Sequence, residues 1–363
     1  MKTGKWLRRV LCLVSVVLSA NLLTVPAQAD SSVPSAREYH HMVYDSESDR
    51  VILYGGSGLT DTWAYDINTH TWTKMAPAQS PPRGGGEMAY DEQSDRAILF
   101  LNQHGWPQPT DALSETWAYD YNTDTWTNME PENAPPAIVG APLVYDTQAD
   151  RIIMFGGLDN AALIDSRSIV LLNDIWVYDF DSNTWTKMEP TSGPSGRNYH
   201  VMTYDTAADR VIVFGGAVPP ADPTSAEFPW EIAGDTWAYD YNTNTWEALE
   251  PAKAPSPRNY SAMVYDAASN QSILFGGIEE IRSGSRIQEA ALGDTWAYDF
   301  AANAWIELNP AIFPSERGWH GMVFNSTADR FVLFSGCVAR DRCNPETWFY
   351  DLNANTWAQA EPE

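Results

Sequence analysis

Cysteine, basic residues and histidine are all scarce in this chain, and each shortage narrows what it does. Only three cysteines occur among 363 residues, and Cys12 lies in the first thirty. That excludes a cysteine-built metal framework and leaves one pair, Cys337 and Cys343, six apart in one loop. In an oxidising compartment such a pair forms a small local disulfide. Basic residues number 22 against 48 acidic ones, a net charge of −26. A surface of that sign repels nucleic acid and anionic lipid, so neither is an expected partner. No sequence motif of nucleophilic, phosphate-binding or metal chemistry is recognisable. No catalytic residue, metal ligand or cofactor is therefore assigned, and calcium finds no specific motif.

Long apolar runs are absent too. The longest, Val10 to Leu23, contains Ser15, Ser19 and Asn21, which is short for a membrane span. It follows Lys2, Lys5, Arg8 and Arg9 and precedes Ala27-Gln28-Ala29. A basic start, an apolar stretch and small residues at a cleavage position read as a signal peptide covering residues 1–29. The expected location is outside the cell or in the envelope, without membrane insertion after cleavage. Removing that segment takes four basic and no acidic residues, so the net charge moves from −26 to −30. Residues 30–36 read as a short linker.

What is abundant is aromatic and repeated. There are 16 Trp, 17 Tyr, 23 Gly and 24 Pro. One segment reads Arg37-Glu-Tyr-His-His-Met-Val-Tyr-Asp45, then Asp49-Arg-Val-Ile-Leu-Tyr-Gly-Gly56, Asp61-Thr-Trp-Ala-Tyr-Asp66 and Thr71-Trp-Thr-Lys-Met75. These four phrases recur five more times. The second is apolar on both faces, as a sandwiched strand is. The third puts its aromatics on one face and its small residues on the other. Asn68, Asn122, Asn183 and Asn242 mark tight turns before the fourth. Each repeat is thus a four-stranded antiparallel meander, strands A to D. A sheet with two apolar faces cannot bury itself. Six of them closed radially bury both faces of each, which predicts an all-β, six-bladed propeller over residues 37–363. The blades run about 37–77, 83–131, 137–190, 197–251, 258–310 and 317–362. No strand is left over to exchange between the ends, so closure is expected from packing of blade one on blade six.

The Arg opening strand A, the Gly-Gly ending strand B (Gly55-Gly56, Gly156-Gly157, Gly215-Gly216, Gly276-Gly277), the Tyr of strand C and the Trp of strand D resemble the Kelch family. The glycine pair is degenerate at Leu101-Asn102 and Ser335-Gly336. The resemblance spans nearly all of the chain after the leader. It implies a Kelch-type propeller, and it implies that the repeated Arg and His positions are structural.

Twelve tryptophans belong to the repeat, which leaves Trp106, Trp230 and Trp319 as informative once Trp6 departs with the leader. The connections from strand B to strand C vary most: Ser57–Thr60, Gln103–Ser114, Leu158–Asn173, Ala217–Gly234, Ile278–Gly293 and Cys337–Pro345. In a meander they emerge on the same face as the D–A connections, and loops on a rigid scaffold are where binding sits. Candidate ligand residues there are Trp106, Arg167, Trp230, Glu231, Arg282 and Arg286. At the start of strand A, Arg37, Arg83, Arg197, Arg258 and Arg317 form a ring able to attract an anion into the central channel. His40, His200, His320 and Trp319 lie beside them. The expected function is a secreted, monomeric scaffold that binds a protein or carbohydrate on that face without catalysis. Some secreted Kelch proteins are sialic acid mutarotases, and that resemblance offers Glu279, Glu280, Arg282 and Arg286 as an alternative acid/base and carboxylate-binding set. A structural part in a surface assembly is a further alternative.

Overall fold

The computed structural model describes residues 32–103, 114–166, 168–222, 230–283, 286–339 and 342–360. The proposed leader lies outside these. Among them are six four-stranded antiparallel sheets, each built from one repeat. Blade 1 consists of strands His41–Asp45, Arg50–Gly56, Leu59–Asp66 and Thr71–Lys74. Blade 2 begins with Gly84–Asp91 and blade 3 with Leu143–Asp146. The A strands of blades 4, 5 and 6 are Val201–Asp205, Ala262–Asp266 and Gly321–Asn325. These six inner strands contact one another in a closed cycle around a central channel.

The blades are held by one device repeated around the ring. The strand-D Trp of each blade packs on the strand-B aromatic of the blade before it. Ring centroids are 5.0 Å apart for Trp126 on Tyr54, 5.7 Å for Trp185 on Phe100 and 4.9 Å for Trp357 on Phe275. The indole N–H then donates to a strand-C threonine of that same earlier blade: Trp126 to Thr62, Trp185 to Thr116, Trp305 to Thr236 and Trp357 to Thr295. This satisfies the one polar atom of a buried indole. Trp246 is the exception, because Ile175 replaces the threonine in blade 3; it keeps only the stacking, 4.7 Å from Phe155.

Ring closure uses the same device. Trp72 of blade 1 stacks on Phe334 of blade 6 at 4.9 Å and donates to Thr347. Val51, Leu53 and Trp63 share one core cluster with Val323, Val332 and Phe334. Ser335, standing where other blades have the first glycine of the pair, adds a contact glycine cannot make. Its hydroxyl accepts from the Arg37 N–H and donates to the Arg37 carbonyl, both at 2.9 Å. Ser335 keeps the left-handed backbone of that position, φ 57°.

Two departures concern the B–C connections. Ile278–Gly293 is not a loop: strands B and C of blade 5 run on as Gln271–Ser283 and Arg286–Asp299, paired from Gly277 with Leu292 to Ser283 with Arg286. After the glycine pair no proline or further glycine interrupts Ile278–Ser283, so the chain rejoins the ladder beyond one bulge. The other long connections also carry structure, a short helix Asn160–Ser166 in blade 3 and a strand pair Ala217–Val218 with Glu231–Ile232 in blade 4. No helix among the described residues is long and apolar enough to cross a membrane.

Candidate functional site

The channel contains a cavity of about 670 Å³ lined by the A-strand segments of all six blades. Its entrance is shaped by backbone geometry. Tyr39, Tyr199, Tyr260 and Trp319 each enter strand A in the left-handed region, with φ of 53–57°. A non-glycine residue there costs about 1 kcal/mol. Hydrogen bonds passing from blade to blade hold it: Tyr199 N–H to Gly140 O, Tyr260 N–H to Tyr199 O and Trp319 N–H to Tyr260 O. The result gathers four aromatic rings over one side of the channel, 4.4 Å between Tyr199 and Tyr260 and 4.9 Å between Tyr260 and Trp319. Blades 2 and 3 place glycines, Gly85 and Gly140, at the matching positions. Further along the strands, Met42, Met88, Met202, Met263 and Met322 occupy one register position and line the cavity too.

The ring of arginines is not what the sequence suggested. Arg37, Arg197, Arg258 and Arg317 are fully buried and do not line the cavity. Each turns back into its own blade, onto a carboxylate at the start of strand C: Arg37–Asp61 and Arg197–Asp235 at 2.8 Å, Arg258–Asp294 at 2.6 Å, Arg317–Glu346 at 2.9 Å. Each also donates to the carbonyl at the glycine-pair position, as Arg258 does to Gly276. The strand-C Trp donates to the same carboxylate, for instance Trp296 to Asp294 at 2.7 Å. Burial pushes the Asp294 carboxyl up, but the bonds and charge of Arg258 outweigh it and bring it below the ordinary value. Arg37, Arg258 and Arg317 use all five N–H donors within the framework, and Arg197 uses four.

His40, His200 and His320 likewise serve the framework. Each lies edge-on to a phenylalanine of the preceding blade, at 5.6 Å from Phe334, 5.3 Å from Phe155 and 5.5 Å from Phe275. Burial and the neighbouring arginine drive His40 and His200 well below the usual imidazole value and His320 down to about 3. His41, also on the channel, falls to about 4 through burial. All four are neutral at neutral pH.

Blade 2 breaks the pattern. Arg83 occupies the strand-A arginine position but is exposed and has no carboxylate partner among the described residues. Its Nε donates to the Gly58 carbonyl of blade 1 at 2.7 Å, and it lines the cavity. Glu115, the carboxylate at the start of strand C in blade 2, accepts from Trp117 at 2.7 Å. Because Leu101-Asn102 replaces the glycine pair, strands A and B stay paired to their ends, Gly84 with Gln103. Gly84 and Gly86 allow this, since a Cβ there would meet the Asn102 and Phe100 carbonyl oxygens. Glu87 follows on the same strand and lines the cavity, and burial pushes its carboxyl up to about 8. Sequence reasoning placed Arg83 in the ring and passed over Glu87; the signal was the glycine run 84–86 beside a missing glycine pair.

On the outer loops, Trp230 and Arg282 do meet. The Trp230 indole donates to Glu280 at 3.0 Å, and Arg282 donates to the Trp230 carbonyl at 2.6 Å and to Glu280 at 2.9 Å. This ties the blade 4 connection to the blade 5 arm and occupies Glu280 and Arg282 with each other. Glu279, its neighbour on an extended strand, points to the opposite face. Glu231 is exposed. Trp106 and Arg167 lie outside the described residues, as does the side chain of Arg286. Cys337 and Cys343 form the expected disulfide. The one His/Cys/Asp/Glu group close enough to hold a metal among the described residues is Glu38 with these two cysteines, whose sulfurs are already bonded to each other.

Six meanders in a closed ring around a lined channel define a β-propeller scaffold. The KLHDC2/KLHL20/DRC7 Kelch-repeats domain matches residues 14–216, 104–327 and 231–363, and the chain belongs to the Kelch-repeat family. Kelch domain-containing protein 3 of Homo sapiens is 26% identical over 271 residues, 72% of this chain and 65% of that protein. The chain is 24% identical over 267 residues to Multiple epidermal growth factor-like domains protein 8 of Mus musculus, 69% of this chain but only 9% of that protein's length. An N-(sulfonatooxy)prop-2-enimidothioate sulfolyase of Thlaspi arvense is 21% identical over 346 residues, 91% of this chain and 96% of the relative. Among solved structures, YjhT superposes with a TM-score of 0.68 at 14% identity, covering 91% of this chain and all of that one.

Proposed function

We propose that this protein is an exported Kelch scaffold that binds a protein or carbohydrate through the face carrying its B–C and D–A connections, with no catalysis of its own. One observation carries the reading: diversity is confined to that face. The opposite turns keep one construction in blades 1 to 4, in which an aspartate caps the turn and an arginine pairs with the end of strand C, as Asp45 caps Ser48 N–H and Arg50 meets Asp66 at 2.9 Å; blades 5 and 6 vary it only by Gln271 for the arginine and Asn325 for the aspartate. The variable face instead carries the blade 5 arm, the short helix of blade 3 and the disulfide loop of blade 6. Kelch propellers commonly bind proteins, and the sugar class is favoured equally by exposed aromatic and charged groups beside a channel.

The test is a glycan array and a partner capture run on the same protein, with and without calcium. The control is a variant with Ala217–Gly234 cut to a short turn, checked for an unchanged unfolding transition. Binding lost with that segment supports the reading. Binding untouched by it, or by comparable shortening of the blade 5 arm, refutes it.

A further inference from the structure

Blade 3 lacks the arginine that opens strand A in other blades; Ile138 stands there. Asp174, the carboxylate such an arginine would hold, meets Lys187 of its own blade at 2.9 Å instead. The strand-C Trp176 indole is buried and donates to nothing, whereas Trp237 of blade 4 donates to Asp235 at 2.7 Å. Ile175 replaces the threonine that accepts from the next blade's strand-D indole, so the Trp246 N–H has no acceptor among the described residues. Trp246 is also the one strand-D tryptophan that is not fully buried. Asp174 and Trp246 line one cleft of about 320 Å³ between blades 3 and 4, together with Lys187, Glu189, Ser192 and Gly193. Gly193 keeps the indole edge open, since a Cβ there would stand 2.6 Å from Cδ1 and 3.0 Å from Nε1 of Trp246. We propose that this cleft, away from the central channel, binds one ring of an uncharged sugar.

The polar groups of the cleft select that chemistry. An indole N–H only donates, and an ionised carboxylate only accepts. A hydroxyl does both, so neighbouring hydroxyls of one sugar ring accept from Trp246 and donate to Asp174 or Glu189. Charge excludes an acidic sugar. Lys187 is already paired with Asp174, Glu189 adds a second carboxylate, and the chain carries −26 overall. Met188, Pro190 and Pro194 give an apolar wall for the C–H face of the ring. The volume lies at the lower end of the range for small-ligand pockets, which leaves room for one ring.

The cleft goes beyond the loop-face reading: no residue of Ala217–Gly234 or of the blade 5 arm lines it, so the two fail separately. The experiment follows the indole N–H signals of the isotope-labelled protein in proton–nitrogen correlation spectra, with affinities from calorimetry. The probes are the methyl glycosides of glucose, galactose and mannose and the corresponding uronic acids. At least one neutral glycoside is expected to shift, saturably, the signal that vanishes in Trp246→Phe, and to bind about threefold or more tighter than its acid. Ile175→Thr restores the acceptor that the other five blades give their neighbours' indoles. It is expected to weaken binding about tenfold or more while the melting temperature holds or rises. Trp246→Phe, which keeps an aromatic ring against Phe155, is expected to weaken binding likewise. No saturable shift of the Trp246 signal by any neutral glycoside, or undiminished binding by Trp246→Phe, overturns the proposal. Sugar binding lost on shortening Ala217–Gly234 but kept in Trp246→Phe overturns this site and leaves the loop-face reading standing.

Discussion

Trp72 and Thr347, 275 residues apart, share a hydrogen bond of 3.2 Å between indole N–H and hydroxyl, and with it the first and last repeats are locked as any two consecutive ones are. Closure thus uses the same side-chain contacts as an internal interface. Thr347→Val keeps the shape and removes the acceptor, leaving a buried donor unpaired at a cost of about 1–2 kcal/mol. Thr116→Val, which strips the acceptor from Trp185 between blades 2 and 3, is expected to cost the same. Paired urea-unfolding curves decide it. A silent Thr347→Val beside a costly Thr116→Val would mean that the ends are joined mainly by the Arg37–Ser335 contact.

Much of this architecture can be read from residues alone, because each blade interface reuses the same side chains at the same register. The strand-B aromatic, the strand-C threonine and the strand-D tryptophan are all visible as a pattern. Side-chain direction is not. Arg258 starts strand A next to the channel, and only the structure shows it folding back onto Asp294. The Ile278–Gly293 segment reads as a loop because glycine pairs elsewhere end the ladder; here pairing resumes after one bulge. Ser335 reads as a degenerate glycine, whereas its hydroxyl closes the ring. Arg83 looks like one of five equivalent arginines, and only the structure shows it bonded to Gly58 rather than to Glu115.

The Arg258–Asp294 pair is a framework contact, so its loss is costly in stability. Arg258 is 1% exposed and Asp294 28%. Asp294→Ala leaves a buried guanidinium without its counter-charge and is expected to cost about 2–3 kcal/mol, the partly open carboxylate reducing the full penalty. Asp66→Ala removes the partner of Arg50, a guanidinium 27% exposed rather than buried, and is expected to cost under about 1 kcal/mol. Guanidinium midpoints of the two variants provide the comparison. Equal, small losses would return Arg258 to the list of candidate ligand residues.

Acid is expected to weaken the protein through its buried histidines from about pH 6.5 downward. Folded His41 is lowered to about 4 and His320 to about 3, against 6.5 in the unfolded chain. The unfolded state therefore binds more protons as pH falls below about 6.5, and stability declines with it. His41→Gln removes one of these groups and is expected to flatten the decline between about pH 6.5 and pH 4. Unfolding midpoints across that range check it. An unchanged slope would mean that His41 protonates in the folded channel as readily as in water.

Glu87 works in the opposite sense. Its folded value, about 8, lies above the ordinary 4.5, so the folded state holds a proton the unfolded state has released. Stability is complete below about 4.5 and falls as pH rises toward 8. Water in the channel softens a penalty that the shift alone would put near 5 kcal/mol, so about 1–3 kcal/mol is expected by pH 8. Glu87→Gln, isosteric and uncharged, is expected to recover that amount at pH 8 and to make no difference near pH 4. Since burial is the cause of the Glu87 shift, Arg83→Ala is expected to leave the slope unchanged. A Glu87→Gln variant no more stable than wild type at pH 8 would show that the carboxyl ionises freely in the channel.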